Sequence, residues 1–362
     1  MSSETTTVVP WKNLGKSGLK ISNIIIGCMG FGSKKWDPWV IEDKQEVFKI
    51  LKKAYDHGIR TYDTADNYSN GLSEKILGEF LKEYKIQRDK VVIMTKFWGP
   101  TDDAYPEGYK GIFVDYIGSP IDKINFLNNR GASRKHIMDA AKNSSERLGT
   151  YIDVYQLHRF DKDTPIEETM KALNDVVNAG YTRYIGASTM RAVDFVEMQH
   201  VAEKNGWHKF ISMQSLYNLL QREDESEMNY YCDKTGVGLI PWSPLMGGVL
   251  ARPVPKDESE KTERIKTSMF TVFFKSADLT IGTKGQDSDI EIVNRVGEIA
   301  KTKGTSMAAV ATAWVIAKGA APIIGFTTVE RVDDAVEGAN LKLTEEEIKY
   351  LEEPYLPRAR VA

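Results

Sequence analysis

Four side chains with acid–base chemistry stand at or just after the ends of apolar segments. Asp63 ends "IRTYD", Lys96 ends "VVIMTK", and His158 ends "DVYQLH". Tyr68 follows five residues after Asp63. A buried lysine without a counter-ion is costly, so Asp63 is the partner that we expect for Lys96.

Together these groups suit the delivery of a proton to an oxygen atom while a hydride reaches the neighbouring carbon. A tyrosine has a pKa near ~10 and is a poor acid at neutral pH. The positive charge of Lys96 is expected to lower the pKa of Tyr68 and to make its hydroxyl a usable proton donor. A neutral His158 could orient a carbonyl oxygen by donating a hydrogen bond. The hydride would come from a nicotinamide coenzyme.

An alternation of strands and helices is predicted to bring these residues together. Eight strand–helix units follow a short N-terminal hairpin, and the strands are apolar on both faces. This order favours an α/β fold, a closed (β/α)8 TIM barrel in which the strand ends meet at one mouth. Long loops are predicted at that mouth, residues 99–132 after strand three and residues 246–287 after strand seven.

The composition predicts a soluble globular protein. The chain has 362 residues, a formal charge of −3 and two cysteines. One barrel domain over residues 1–362, with a core at about 12–355, accounts for this length. The dispersed basic residues argue against nucleic acid as a partner, and no apolar run is suited to span a membrane. Without a signal-peptide pattern or a disulfide framework, we expect a cytoplasmic protein with no obligate protein partner.

Several longer motifs along the chain occur together in one known family. "YDTADNYSNGLSEKILG" resembles the signature of the aldo-keto reductase superfamily. "VVIMTK", "DVYQLHR", "YIGAS", "QSLYNLL" and "GLIPWSPL" resemble its later motifs in the same order. The fungal aryl-alcohol dehydrogenase branch is the most similar. The resemblance implies a catalytic tetrad of Asp63, Tyr68, Lys96 and His158, with Tyr68 as the general acid.

The same resemblance implies a site for NADP(H) along the later strands. The implied residues are Ser188 and Gln214 for the nicotinamide carboxamide, Trp242 for stacking on the ring, Ser243, Leu245 and Gly247 for the pyrophosphate, Thr327 and Arg331 for the 2′-phosphate, and Asp334 near the adenine. Three positions depart from the pattern of many relatives. Thr189 replaces an asparagine, Gly325 replaces a phosphate-binding lysine, and Asp334 replaces the glutamate of a glutamate–asparagine pair.

Tryptophans near the predicted mouth are candidates for a substrate pocket. Trp36 and Trp39 follow strand one, and Trp98 follows strand three. A pocket with aromatic walls would suit flat apolar substrates. For Trp36 and Trp39, the alternative is packing beneath a surface loop. No two of the five histidines have the spacing of metal ligands, so no metal site is expected.

The residues and the resemblance predict NADPH-dependent reduction of aldehydes, aromatic ones in particular, and of some ketones. Two alternatives stay open. The first is a coenzyme-binding regulatory subunit, because the chain also resembles the β subunits of voltage-gated potassium channels. The second is a Schiff-base enzyme in which Lys96 attacks the substrate. Asp63 argues against the second alternative, since a paired lysine stays charged and is a poor nucleophile.

Overall fold

Eight parallel strands form the centre of the molecule. The structure, a computed structural model, describes residues 7–106, 108–110, 118–254 and 286–358. The strands, in chain order, are β1 Trp11–Asn13, β2 Lys20–Ser22, β3 Ile25–Gly27, β4 Thr61–Asp63, β5 Val92–Phe97, β6 Ile152–Leu157, β7 Thr182–Ser188, β8 Phe210–Gln214, β9 Gly238–Leu239 and β10 Ile323–Gly325. The sheet has the order β10-β3-β4-β5-β6-β7-β8-β9, and all its neighbours are parallel.

The edges of this sheet meet and close it. The backbone N–H of Ala321 donates to the carbonyl of Leu239, and that of Ile323 donates to the carbonyl of Pro241, each at 2.9 Å. These bonds join the β9 segment to the β10 segment. A sheet whose first and last strands are linked in this way is a barrel, and the predicted (β/α)8 fold is confirmed.

Helices connect the strands and cover the outside of the barrel. They are α1 Lys44–Asp56, α2 Leu72–Glu83, α3 Pro120–Asn125, α4 Arg134–Leu148, α5 Ile166–Asn178, α6 Ala192–Asn205, α7 Met228–Thr235, α8 Gln286–Lys303, α9 Met307–Ala317, α10 Glu330–Asn340 and α11 Glu345–Glu352. Their starts follow local chemistry, as at Asp43, whose side chain accepts a hydrogen bond from the backbone N–H of Gln45. None of these helices in the described part of the chain has both the length and the apolar character needed to cross a membrane.

The predicted N-terminal hairpin, β1 and β2, closes the end of the barrel at which the strands begin, opposite their carboxyl ends. Leu14 and Ile21 from the hairpin are buried with Met94, Val154 and Ile323 from the barrel strands. Removing this apolar surface from water stabilises the closed barrel by about 25 cal/mol for each Å² that is buried.

The two predicted long loops follow β5 and β9. The loop between β5 and α4 contains α3, a short helix that begins with a capping box at Ser119 and Asp122. Of the loop after β9, predicted at residues 246–287, residues 255–285 lie outside the described part. Both loops leave the carboxyl ends of the strands, which is where barrels of this kind form their active sites.

Candidate active site

Lys96 is held at the end of β5 by three acceptors. Its Nζ atom lies 2.5 Å from Oδ2 of Asp63, 2.8 Å from the carbonyl oxygen of Thr64 and 3.2 Å from the hydroxyl of Tyr68. An ammonium group has three hydrogens, so all of them are used. Burial by itself would lower the pKa of Lys96, but the charge of Asp63 and the hydrogen bonds with Asp63 and Tyr68 outweigh it and raise the pKa. Lys96 is therefore a buried cation.

Asp63 is held from its other side by two amides. Its Oδ1 atom accepts a hydrogen bond from Nε2 of Gln156 and another from Nε2 of Gln214, each at 2.9 Å. The sequence analysis missed Gln156, although it lies two residues before His158 on the same face of β6. A polar side chain on the inner face of a buried strand was the signal that could have identified it.

A turn of unusual backbone conformation positions Tyr68. Ser69, Asn70 and Gly71, which follow it, have φ angles of 49°, 51° and 87°. Two consecutive residues other than glycine in this region are strained and must be held by their surroundings. The Asn70 side chain supplies part of that restraint, because its Nδ2 atom donates to the carbonyls of Asp102 and Tyr105 and its Oδ1 accepts from the backbone N–H of Asp102.

The loop that follows β3 also restrains this turn. The hydroxyl of Ser69 accepts a hydrogen bond from the backbone N–H of Ser33 at 3.1 Å. Gly32 makes this approach possible, because a Cβ atom at that position would lie 2.1 Å from Oγ of Ser69. The turn that carries Tyr68 is therefore fixed by two loops from distant parts of the chain.

The phenol of Tyr68 lies beside Lys96 but keeps its proton. Burial raises the pKa of Tyr68 more than the charge and hydrogen bond of Lys96 lower it, so the pKa is above its ordinary value. The expected direction of the Lys96 effect was right, but the expected net lowering of the pKa was wrong because desolvation is larger. Since Lys96 donates to the hydroxyl oxygen, the Tyr68 proton is left for another acceptor.

His158 lies across the mouth from Tyr68. The two ring centroids are 6.0 Å apart in an edge-on arrangement. Burial, with the charges of Arg159 and Lys96, holds the pKa of His158 well below its ordinary value, so the ring is neutral. Its buried Nδ1 atom has no hydrogen-bond partner among the residues that the structure describes. A neutral imidazole retains one N–H that can be donated to a substrate oxygen.

The three predicted pocket tryptophans take different positions near this group. Trp36 is 2% exposed, and its ring centroid lies 6.2 Å from that of Tyr68. Trp39 and Trp98 are half-buried. Trp36 thus packs against the phenol, while Trp39 and Trp98 each keep part of their surface exposed.

The side chains predicted for the nicotinamide lie at the ends of β7, β8 and β9. Ser188 donates through Oγ to the carbonyl of Gln214 at 2.8 Å. Oε1 of Gln214 has no donor among the described residues, and it can accept from a carboxamide. The indole of Trp242 donates to the hydroxyl of Thr189 at 3.0 Å, which fixes the orientation of its ring. Thr189, a departure from the family pattern, thus contributes to the site through Trp242.

The segment after Trp242 has an open backbone. Ser243, Met246, Gly247 and Gly248 have positive φ angles of 55°, 47°, 64° and 98°. A Cβ atom at Gly247 would meet nothing within 4 Å, so this backbone faces free space. Consecutive amides in such conformations form concave surfaces that bind anions. Leu245 is partly buried within the same segment.

Arg252 lies beside that backbone, where its Nε atom donates to the carbonyl oxygen of Gly248 at 3.2 Å. Partial burial and the positive charge of Arg331 lower the pKa of Arg252. Thr327 and Asp334, the other residues predicted for the adenosine phosphate, are half-buried on the β10–α10 segment that also carries Arg331. An open backbone beside two neighbouring cations has the chemistry that a dinucleotide coenzyme requires.

Within the described ranges, no group of three or more His, Cys, Asp or Glu residues is arranged to hold a metal ion. The cysteines Cys28 and Cys232 are both buried, and burial raises the pKa of each thiol, so both are protonated at neutral pH.

Comparisons with known proteins agree with this barrel fold. Residues 23–355 match the sequence model of the aldo/keto reductase family. The "Putative aryl-alcohol dehydrogenase AAD16" of Saccharomyces cerevisiae is 51% identical over 345 residues, which cover 95% of this chain and 96% of the relative. The versiconal hemiacetal acetate reductase of Aspergillus parasiticus is 48% identical over 351 residues, which cover 96% of this chain and 98% of the relative.

A (β/α)8 barrel with these polar strand ends defines a class of oxidoreductases that use nicotinamide coenzymes. The chain belongs to the aldo/keto reductase family. It is therefore an enzyme of carbonyl reduction that acts on small molecules.

Proposed function

We propose that this enzyme reduces aldehydes, aromatic ones in particular, and some ketones with NADPH, and that Tyr68 is the proton donor. The observation that carries the proposal is the contact between Nζ of Lys96 and the hydroxyl of Tyr68 at 3.2 Å, with Asp63 behind the lysine. A bound NADPH would supply the hydride for the carbonyl carbon. The protein supplies the proton and the alignment of the carbonyl group.

Each residue of the tetrad has one role in this proposal. Tyr68 donates its proton to the oxygen that becomes negative as the carbonyl is reduced. Lys96 stabilises the phenolate that is left, because its charge lies next to the phenol oxygen. Asp63 keeps Lys96 charged and in place, and the neutral His158 donates a hydrogen bond that orients the carbonyl.

The preference for NADPH rests on the two arginines. Arg331, beside Thr327, would bind the 2′-phosphate, and Arg252 would lie near the same anionic groups. The open backbone at Ser243, Leu245 and Gly247 would bind the pyrophosphate. Ser188 and Gln214 would hold the carboxamide, Trp242 would stack on the nicotinamide ring, and Asp334 would lie near the adenine.

The preference for aromatic aldehydes rests on the side chains around Tyr68 and on the relatives. Trp39 and Trp98 would form walls for a flat substrate, with Trp36 supporting Tyr68 from behind. The yeast relative is named for aryl alcohols, which are the reduced products of such aldehydes. We also propose that residues 1–362 form one domain, in agreement with the single family match over residues 23–355.

The two alternatives are less well supported. A Schiff base on Lys96 requires a neutral amine, whereas Asp63 raises the pKa of that group and all three of its hydrogens are bonded. For a purely regulatory subunit, no observation at the site favours binding without turnover.

A panel of carbonyl compounds tests the proposal. The purified protein should oxidise NADPH with benzaldehyde derivatives at multiple turnovers, faster than with short aliphatic aldehydes and faster than with NADH. Equal turnover of aromatic and aliphatic aldehydes would contradict the proposed preference for aromatic substrates. Oxidation of about one NADPH per protein molecule would instead support the regulatory alternative.

A further inference from the structure

A cation that the tetrad does not use lies at the same mouth. Arg159 directly follows His158 at the end of β6, and its Nη1 atom donates to the carbonyl oxygen of His158 at 2.7 Å. That is its single hydrogen bond within the described residues, although a guanidinium has five N–H groups. It forms no salt bridge with a carboxylate of those residues, which is unusual for an arginine that is largely buried.

The positive charge of Arg159 acts on Tyr68 and on His158. It lowers the pKa of both Tyr68 and His158, although burial is the larger effect on each. Burial also lowers the pKa of Arg159 itself, and the phenol of Tyr68 opposes that shift. The residue is half-buried, so part of its surface remains open to a ligand.

The charges near Tyr68 do not balance without a further anion. Asp63 neutralises Lys96, at 2.5 Å, and His158 is neutral. Arg159 therefore leaves one uncompensated positive charge beside groups that are themselves buried. A carboxylate on the substrate would compensate it and would match the planar fork of the guanidinium with two parallel hydrogen bonds.

We propose that Arg159 selects carbonyl substrates that also carry a carboxylate, such as aromatic aldehydes with an acid group on the ring. This inference rests on the proposed function and narrows its substrate class. Arg159 acts as a specificity-determining residue, and Tyr68 remains the proton donor. Neutral aldehydes are then poorer substrates, because they leave Arg159 without its counter-ion.

A pair of substrates of similar shape isolates this contribution. The pair is para-carboxybenzaldehyde and its uncharged methyl ester, and their kcat/KM values are compared at saturating NADPH. The wild-type ratio should favour the acid. In Arg159→Met the ratio should fall by about tenfold to a hundredfold, as expected for a lost charge-assisted pair. Lys162→Met, which removes an exposed cation from the same loop, should keep the wild-type ratio.

A binding measurement gives a readout that does not depend on turnover. Titration calorimetry of the NADP⁺ complex should show that benzoate binds more tightly than benzamide. The Arg159→Met variant should lose this difference in affinity. Arg159→Lys, which keeps the charge but loses the fork, should retain only part of it.

The outcomes separate this inference from the proposed function. If Arg159→Met lowers kcat/KM for acid and ester equally, Arg159 tunes the proton donor and the specificity proposal is overturned. A wild-type ratio near one would also overturn it while aldehyde reduction stands. If neither aldehyde is reduced and neither benzoate nor benzamide binds, both the proposed function and the inference fail.

Discussion

Nζ of Lys96 lies 2.5 Å from Oδ2 of Asp63, and these side chains are 0% and 3% exposed. Two amides, from Gln156 and Gln214, also donate to this carboxylate. A buried ion pair of this kind contributes little net stability by itself, but removal of one partner leaves the other charge uncompensated. The pair therefore makes the acid–base site sensitive to any change at Asp63.

Replacement of Asp63 by Ala should destabilise the protein as well as inactivate it. The buried charge of Lys96 would lose its counter-ion, which costs about 3–5 kcal/mol in the free energy of unfolding. Urea unfolding of the variant measures that loss. In the double variant Asp63→Ala/Lys96→Met, much of the stability should return while turnover stays absent. A loss below about 1 kcal/mol in the single variant would argue that Lys96 is neutral in the folded protein.

Asn70→Ala should lower turnover through the position of Tyr68. The variant removes the hydrogen bonds that hold a strained turn, so the phenol would spend less time next to Lys96. We expect a fall in kcat of about tenfold, with little change in the Kd of NADPH. Asn205→Ala is a suitable control, because among the described residues that side chain bonds only to the carbonyl of Val201 at the end of α6. Equal effects of both variants would show that the restraint at Asn70 does not matter for catalysis.

The rate of carbonyl reduction should show no pH transition that arises from His158. The pKa of His158 is well below its usual range, so reduction should stay constant as pH rises from about 6 to 8. The pKa of Tyr68 is raised, so the phenol stays protonated over this interval and the donor is available. Alcohol oxidation needs the phenolate, and its rate should therefore increase with pH in the alkaline range. A transition in reduction rate near pH 6.5 that His158→Gln removes would contradict this assignment.

Arg331→Glu should discriminate between the two coenzymes. If Arg331 binds the 2′-phosphate, the reversal of its charge should weaken NADPH by about a hundredfold, because a charge-assisted contact is replaced by repulsion. NADH lacks this phosphate and should be affected little. Lys349→Glu, an exposed change of the same sign on α11, serves as the control in fluorescence titrations. A similar loss of affinity for both coenzymes would show that Arg331 does not bind the 2′-phosphate.

The barrel and its three polar strand ends could be predicted because both depend on local patterns. Apolar strands that alternate with amphipathic helices determine the order β3 to β10, and the strand ends then share one mouth. Asp63, Lys96 and His158 each end such a strand, and the structure brings them together with Tyr68. The family resemblance was confirmed by the match over residues 23–355.

Two of the features that sequence reasoning missed depend on how distant segments pack together. The partners of Asn70 lie about thirty residues further on, in a loop whose path has no periodic pattern. The net pKa of Tyr68 could not be judged because the depth of burial, which exceeds the effect of Lys96, is not readable from residue types. Helix α3 was missed although Ser119, Pro120 and Asp122 form a recognisable helix start.

The most direct test of the proposed mechanism is the rate of hydride transfer in Tyr68→Phe. In a single turnover with NADPH and an aromatic aldehyde, loss of the general acid should slow the reaction by about 10²- to 10⁴-fold. The Kd of NADPH should change by less than about threefold. Tyr62→Phe is the matched control, because its hydroxyl is buried on β4 without a hydrogen-bond partner among the described residues. If Tyr68→Phe keeps a rate within about tenfold of the wild type, another group donates the proton and the proposed role of Tyr68 is wrong.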